Sequence, residues 1–114
     1  MAKYECKLQG DCKELMDRIT DGILNGSSSA SLEEGSDFET GEVFCAVRVF
    51  ERYSMIGDNR VSLNVTILEH HGELFLSAIT SGGSQAVLFK INTFGEKAFL
   101  ECLEEIVKDY KTGR

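Results

Sequence analysis

The side chains best equipped for chemistry are few. His70 and His71 are the chain's two histidines, in the run His70-His71-Gly72-Glu73. Two imidazoles beside a carboxylate could ligate a transition metal or relay a proton. Adjacent strand residues point to opposite faces, however, so the pair makes a poor chelate, and Gly72 marks an exposed turn. Cys6, Cys12, Cys45 and Cys102 form no C-x-x-C pair, and no His stands at ligand spacing from any of them. They read as reduced thiols packed like small apolar residues, the habit of an intracellular chain. Ser81-Gly82-Gly83-Ser84 has the glycines of a phosphate-cradling loop but neither its Lys nor its strand-to-helix setting. Glu33, Glu34, Asp37 and Glu39 cluster without EF-hand spacing and read as a solvated acidic loop. G-x-S-x-G, H-E-x-x-H and G-x-G-x-x-G are all absent. No catalytic residue, metal site or cofactor is therefore expected, and an enzyme is disfavoured.

Composition narrows the class further. The chain has 114 residues, the size of one α+β domain, and 42% hydrophobic residues, which suits a packed core rather than disorder. A net charge of −7 repels phosphate backbones, and the cations are scattered apart from Arg48, Arg52 and Arg60, so no nucleic acid is expected as a partner. No apolar run approaches the roughly 20 residues that span a bilayer. Met1 to Gln9 lacks the apolar segment of a signal peptide, which points to the cytoplasm and away from a membrane.

The elements that must position these residues follow from periodicity. Lys3 to Gln9 alternates Tyr4, Cys6 and Leu8 with charge, a half-buried strand. Asp11 caps a helix, with Glu14 three residues on and Cys12, Leu15, Met16, Ile19 and Ile23 on one face. Asn25-Gly26 ends it. Ser28 to Glu34 is a weak edge strand, and Gly35 to Gly41 a loop. Strands are expected over Val43 to Tyr53, Arg60 to Glu69, Glu73 to Ser81 and Gln85 to Ile91. Thr93, with Glu96 three residues on, caps a last helix whose buried stripe is Phe99, Cys102, Leu103, Ile106 and Tyr110. The order is β-α-β-β-β-β-β-α: an antiparallel meander with two helices on one face.

Two-residue turns at His71-Gly72 and Gly82-Gly83 set one consistent register, with Ile67 facing Leu76 and Leu76 facing Phe89. The core face then holds Val43, Cys45, Val47 and Val49 with Val61, Leu63, Val65 and Ile67. The second face holds Phe44, Arg48, Phe50, Asn64, Thr66, Leu68, Phe75, Ser77, Ile79 and Leu88. Aromatic and aliphatic side chains mixed with Arg are an interface composition rather than a solvated one. Arg48, Thr66 and Ser77 would form a row across three strands that could hold a carboxylate or phosphate, or lie at a dimer seam.

The segments Arg60-Val61-Ser62-Leu63-Asn64-Val65-Thr66, Ser77-Ala78-Ile79-Thr80-Ser81-Gly82-Gly83-Ser84-Gln85-Ala86-Val87 and Phe89-Lys90-Ile91-Asn92-Thr93-Phe94-Gly95-Glu96 resemble a family of short bacterial proteins, a domain of unknown function in Gram-positive bacteria. The resemblance covers nearly the whole chain. It implies a cytoplasmic bacterial protein and brings no catalytic residues. The element order is also similar to the helix-grip folds of lipid- and hormone-binding proteins, a likeness of fold alone. The reading that results is a non-enzymatic binding or assembly module, a homodimer joined through the second face. The alternative is a carrier with a small apolar ligand between sheet and C-terminal helix.

Overall fold

A computed structural model of the chain describes residues 1–54, 59–82 and 89–113. The elements run β1 (Ala2–Gln9), α1 (Cys12–Gly26), β2 (Ser31–Thr40), β3 (Val43–Ser54), β4 (Asn59–His70), β5 (Glu73–Gly82) and α2 (Phe89–Lys111). The five strands form one antiparallel sheet in the order β1-β5-β4-β3-β2. Both helices lie on the same face, α1 over β2, β3 and β4, and α2 over β1, β4 and β5. The architecture is the α+β meander with two helices expected from the pattern.

Local chemistry accounts for the first half closely. The Asp11 carboxylate accepts the Glu14 N–H at 2.9 Å, capping α1. Cys12, Leu15, Met16, Ile19 and Ile23 are the buried residues of that helix, as their spacing predicts. The turn between β1 and α1 is pinned from two sides. Gly10 N–H donates to the Gly72 carbonyl at 3.0 Å, and Asp11 N–H donates to the Tyr110 hydroxyl at 3.0 Å. Gly10 sits at φ 157°, and a Cβ there would lie 2.3 Å from that hydroxyl, so only glycine lets α2 close onto the turn. Gly22 plays the same part between the helices, since a Cβ would meet Ile106 at 2.6 Å.

Three expectations are corrected. The acidic stretch is not a loop: Gly35 to Thr40 continue β2 along β3, with a bulge between Leu32 and Glu34. A bulged edge strand dense in carboxylates resists pairing with another chain's edge, so the charge serves a strand after all. Second, Phe89 to Ile91, read as the end of a sixth strand, begin α2, and Thr93 lies inside that helix rather than capping it. The place next to β5 is taken by β1, which pairs from Ala2↔Thr80 to Gln9↔Glu73 and so occupies the edge of β5 that the expected strand would have joined. The expected Gly82-Gly83 turn and the start of that strand lie outside the described residues. Glu96, read as half of a capping box, instead accepts the Gly82 N–H at 2.9 Å and is buried.

The third correction is the parity of β3. Ser54 pairs with Asn59, so even-numbered residues of β3 stand opposite odd-numbered residues of β4: Ala46↔Ile67 and Phe50↔Leu63. Phe44, Ala46, Arg48, Phe50 and Arg52 therefore face the helices, and Val43, Cys45, Val47 and Val49 face away. Both sets are largely apolar, so the alternation within β3 could not decide between them. Burial decides it: Phe50 is fully enclosed with Leu63, Leu76, Phe99 and Leu103 in the core. The larger Phe50 gains more from that burial than a valine would. The stripe of α2 also shifts, with Leu100 and Val107 buried and Cys102 exposed.

Candidate interaction surface

Three central rows of side chains cross the face opposite the helices, each row one residue from every strand, and a further row, Thr40–Val43–His70–Glu73–Gln9, lies at the hairpin end. The first central row is Phe38–Cys45–Leu68–Phe75–Lys7, from β2 to β1. The second is Ser36–Val47–Thr66–Ser77–Glu5, and the third Glu34–Val49–Asn64–Ile79–Lys3. Phe38 is 63% exposed, Leu68 41%, Phe75 38% and Ile79 41%, values for large apolar groups that no described element covers. Between them Ser77 donates to Glu5 at 3.0 Å and Thr66 to Asn64 at 3.3 Å. The hydroxyls are thus satisfied within the sheet while the apolar groups remain wet. Beyond the third row Arg60 pairs with Glu51 at 2.9 Å and donates to Ser31.

Six of the ten residues expected on this face are on it: Asn64, Thr66, Leu68, Phe75, Ser77 and Ile79. Phe44, Arg48 and Phe50 are on the helix side, moved there by the parity of β3, and Leu88 lies outside the described residues. The row of Arg48 with Thr66 and Ser77 does not form, because Val47 stands opposite Thr66. Arg48 instead faces Gly35 across β2 and bonds Asp37 at 2.8 Å. That hydrogen bond, with the guanidinium charge, holds the Asp37 carboxyl below the usual carboxylate range. Phe44 receives the Lys13 ammonium 5.2 Å from its ring centre. Phe38 was missed because it is the one large apolar residue in an acidic stretch that shows no apolar alternation to mark a strand.

The thiols are free; Cys12 is buried, Cys6 and Cys45 are half-buried and Cys102 is exposed, and Cys12 is the one packed as a core residue. Although it opens a helix, burial and then the nearby Glu69 push its thiol up to about 12. Such a group stays protonated and unreactive. Clefts formed by described residues include the following three. One of about 300 Å³ lies between the helices, lined by Arg18, Asp21, Gly22, Asn25, Ile106 and Asp109. Another of about 150 Å³ runs from Lys13 and Asp17 of α1 to Phe44 and Arg48. The third, about 180 Å³, is a dip on the open face beside Leu68 and Phe75. None of these three lies between the sheet and α2, where a helix-grip carrier holds its ligand. Among the described residues no helix is long and apolar enough to cross a membrane.

Residues 1–111 match a family of unknown function, DUF6054. The chain belongs to that family. No curated protein matches the sequence. The DUF6054 match spans every element described above, so the open face is part of the family's shared domain and not of an appended segment.

Proposed function

We propose that this DUF6054 protein is a non-enzymatic assembly module of the bacterial cytoplasm that forms a homodimer through the open face of its sheet. The observation that carries the reading is the uncovered row of Phe38, Leu68 and Phe75, with Ile79 exposed two rows further along β5. Contiguous exposed apolar surface of this kind marks an interaction site. Five strands about 4.8 Å apart and about eight residues deep give roughly 600 Å² per copy. Two copies would bury about 1,200 Å², the lower bound for a stable complex. Four unpaired thiols agree with a reducing compartment.

Charge favours a second copy as the occupant and also favours one orientation. On this face β1 carries Lys3 and Lys7, while β2, at the other edge, carries Glu34 and Phe38. A two-fold axis running along β4 lays β1 of one copy over β2 of the other and keeps the rows in step. Lys3 then meets Glu34 of the second copy, Lys7 meets the Phe38 ring, and Leu68 meets its own counterpart. Aligned sheets cross at about −30°, which slides the edge strands by about one residue pair, within the reach of a lysine. An axis across the strands would instead set Lys3 against Lys7 and Glu5 against Glu5, a repulsive arrangement.

Analytical ultracentrifugation tests the reading. The wild type should sediment as a dimer and Phe75→Glu as a folded monomer, because a carboxylate in the apolar row would lose its water without gaining a partner. A wild-type monomer, or a Phe75→Glu dimer of undiminished affinity, rejects this face as the interface.

A further inference from the structure

At one end of the sheet the β2–β3 and β4–β5 hairpins turn side by side, because Val43 pairs with His70. His70 pairs with Glu73, which makes His71-Gly72 a two-residue turn, and both turn residues have positive φ, 53° and 77°. That is the type I′ pattern, whose first position Asn commonly fills. Here it is histidine, and the consequence is chemical. On a flat strand the two rings would point to opposite faces. The left-handed backbone at His71 instead swings its ring to the His70 ring, with centroids 4.2 Å apart and planes at 71°. The neighbouring turn adds Glu42, whose Oε2 lies 2.7 Å from His71 Nε2. One ligand atom from each of Glu42, His70 and His71 lies within 4.8 Å of the other two.

We propose that Glu42, His70 and His71 bind one divalent first-row transition-metal ion of the zinc class. Two imidazole nitrogens and one carboxylate oxygen are the donors such ions prefer, whereas calcium and magnesium select oxygen alone. With bonds of about 2.0–2.2 Å, tetrahedral ligand atoms stand about 3.3–3.5 Å apart. The largest closure needed is therefore about 1.5 Å, a side-chain rotation for three exposed residues. Three protein ligands leave a fourth position for water. Glu73, directly across from His70, and the chain's net charge of −7 both favour a cation here. The two turns come from separate hairpins, so a bound ion would tie β2–β3 to β4–β5 at that end of the sheet. The site uses no residue of the three central rows, but His70 lies on the open face one row beyond Leu68, at the margin of the proposed interface.

Isothermal titration of untagged protein with zinc chloride is the test. One ion should bind per chain, and His70→Gln, His71→Asn and Glu42→Gln should each weaken binding by about 10-fold or more. Asparagine keeps the left-handed turn, so the His71 variant isolates the ligand from the backbone. A second readout needs no variant: substoichiometric copper(II) should broaden wild-type amide signals first at residues 42, 70 and 71. Absence of saturable one-to-one binding overturns the proposal. So does binding that survives all three substitutions but disappears when the cysteines are alkylated, which would assign the metal to thiols.

Discussion

Reversing Lys3 should weaken the dimer, and reversing Glu34 in the same chain should restore it. The two-fold axis along β4 places the Lys3–Glu34 contact twice in the assembly. An exposed ion pair contributes up to about 1 kcal/mol, and a like-charge pair costs a similar amount. Lys3→Glu thus changes each contact by up to about 2 kcal/mol. Both groups are open to water, with the Lys3 side chain 62% exposed in the single chain, so half of that is the better figure. Two contacts then amount to about 2 kcal/mol, roughly a 30-fold rise in the dimer dissociation constant. Within its own chain Lys3 also lies 3.9 Å from Glu5, but that contact exists in monomer and dimer alike and cancels. Sedimentation equilibrium on the wild type, Lys3→Glu, Glu34→Lys and the double variant closes the cycle. At about 1 M salt, where the screening length is near 3 Å, the single-variant deficit should largely vanish. If Lys3→Glu tightens the dimer, the axis runs across the strands and Lys3 faces Lys7. If the double variant is as weak as the two losses combined, the edges do not meet. Either result refutes the orientation while leaving the face itself to the Phe75→Glu experiment.

Other consequences are independent of assembly. Phe50→Ala should destabilise the fold by about 3–5 kcal/mol in urea unfolding, because its ring is fully enclosed. Phe38→Ser should leave monomer stability nearly unchanged, since that ring is mostly in water. Asp37 has a folded-state pKa depressed below its ordinary 3.8 by Arg48, so it binds its proton more weakly folded than unfolded. Its contribution is present above the unfolded value and is lost as pH falls through the folded one. Urea midpoints of wild type and Asp37→Asn measured from pH 5 downward should differ at pH 5 and converge in acid; parallel curves would show that the Arg48 bond carries no stability. Thiol labelling in native buffer should modify exposed Cys102 and spare Cys12, which should react only at the rate of unfolding.

Alternation and capping, read along the chain, determined α1 with its buried face, the core residues of β4 and β5, and the His71-Gly72 hairpin. Each depends on contacts within a few residues: a cap to its helix, a turn to the two strands it joins. The tertiary structure alone decided what depends on partners distant in sequence. Which face of β3 turns inward follows from pairing Ser54 with Asn59 and from room in the core for Phe50. β1 crosses the chain to take the free edge of β5, where the sixth strand was expected to pair, and the last residues of that expected strand start a helix. Phe38 joins Leu68 and Phe75 only because β2 runs the length of β3, and Glu42 meets His71 only because two hairpins turn side by side. Periodicity fixes a residue's side of its own strand, but the neighbour across the sheet is set by a register that no local pattern encodes.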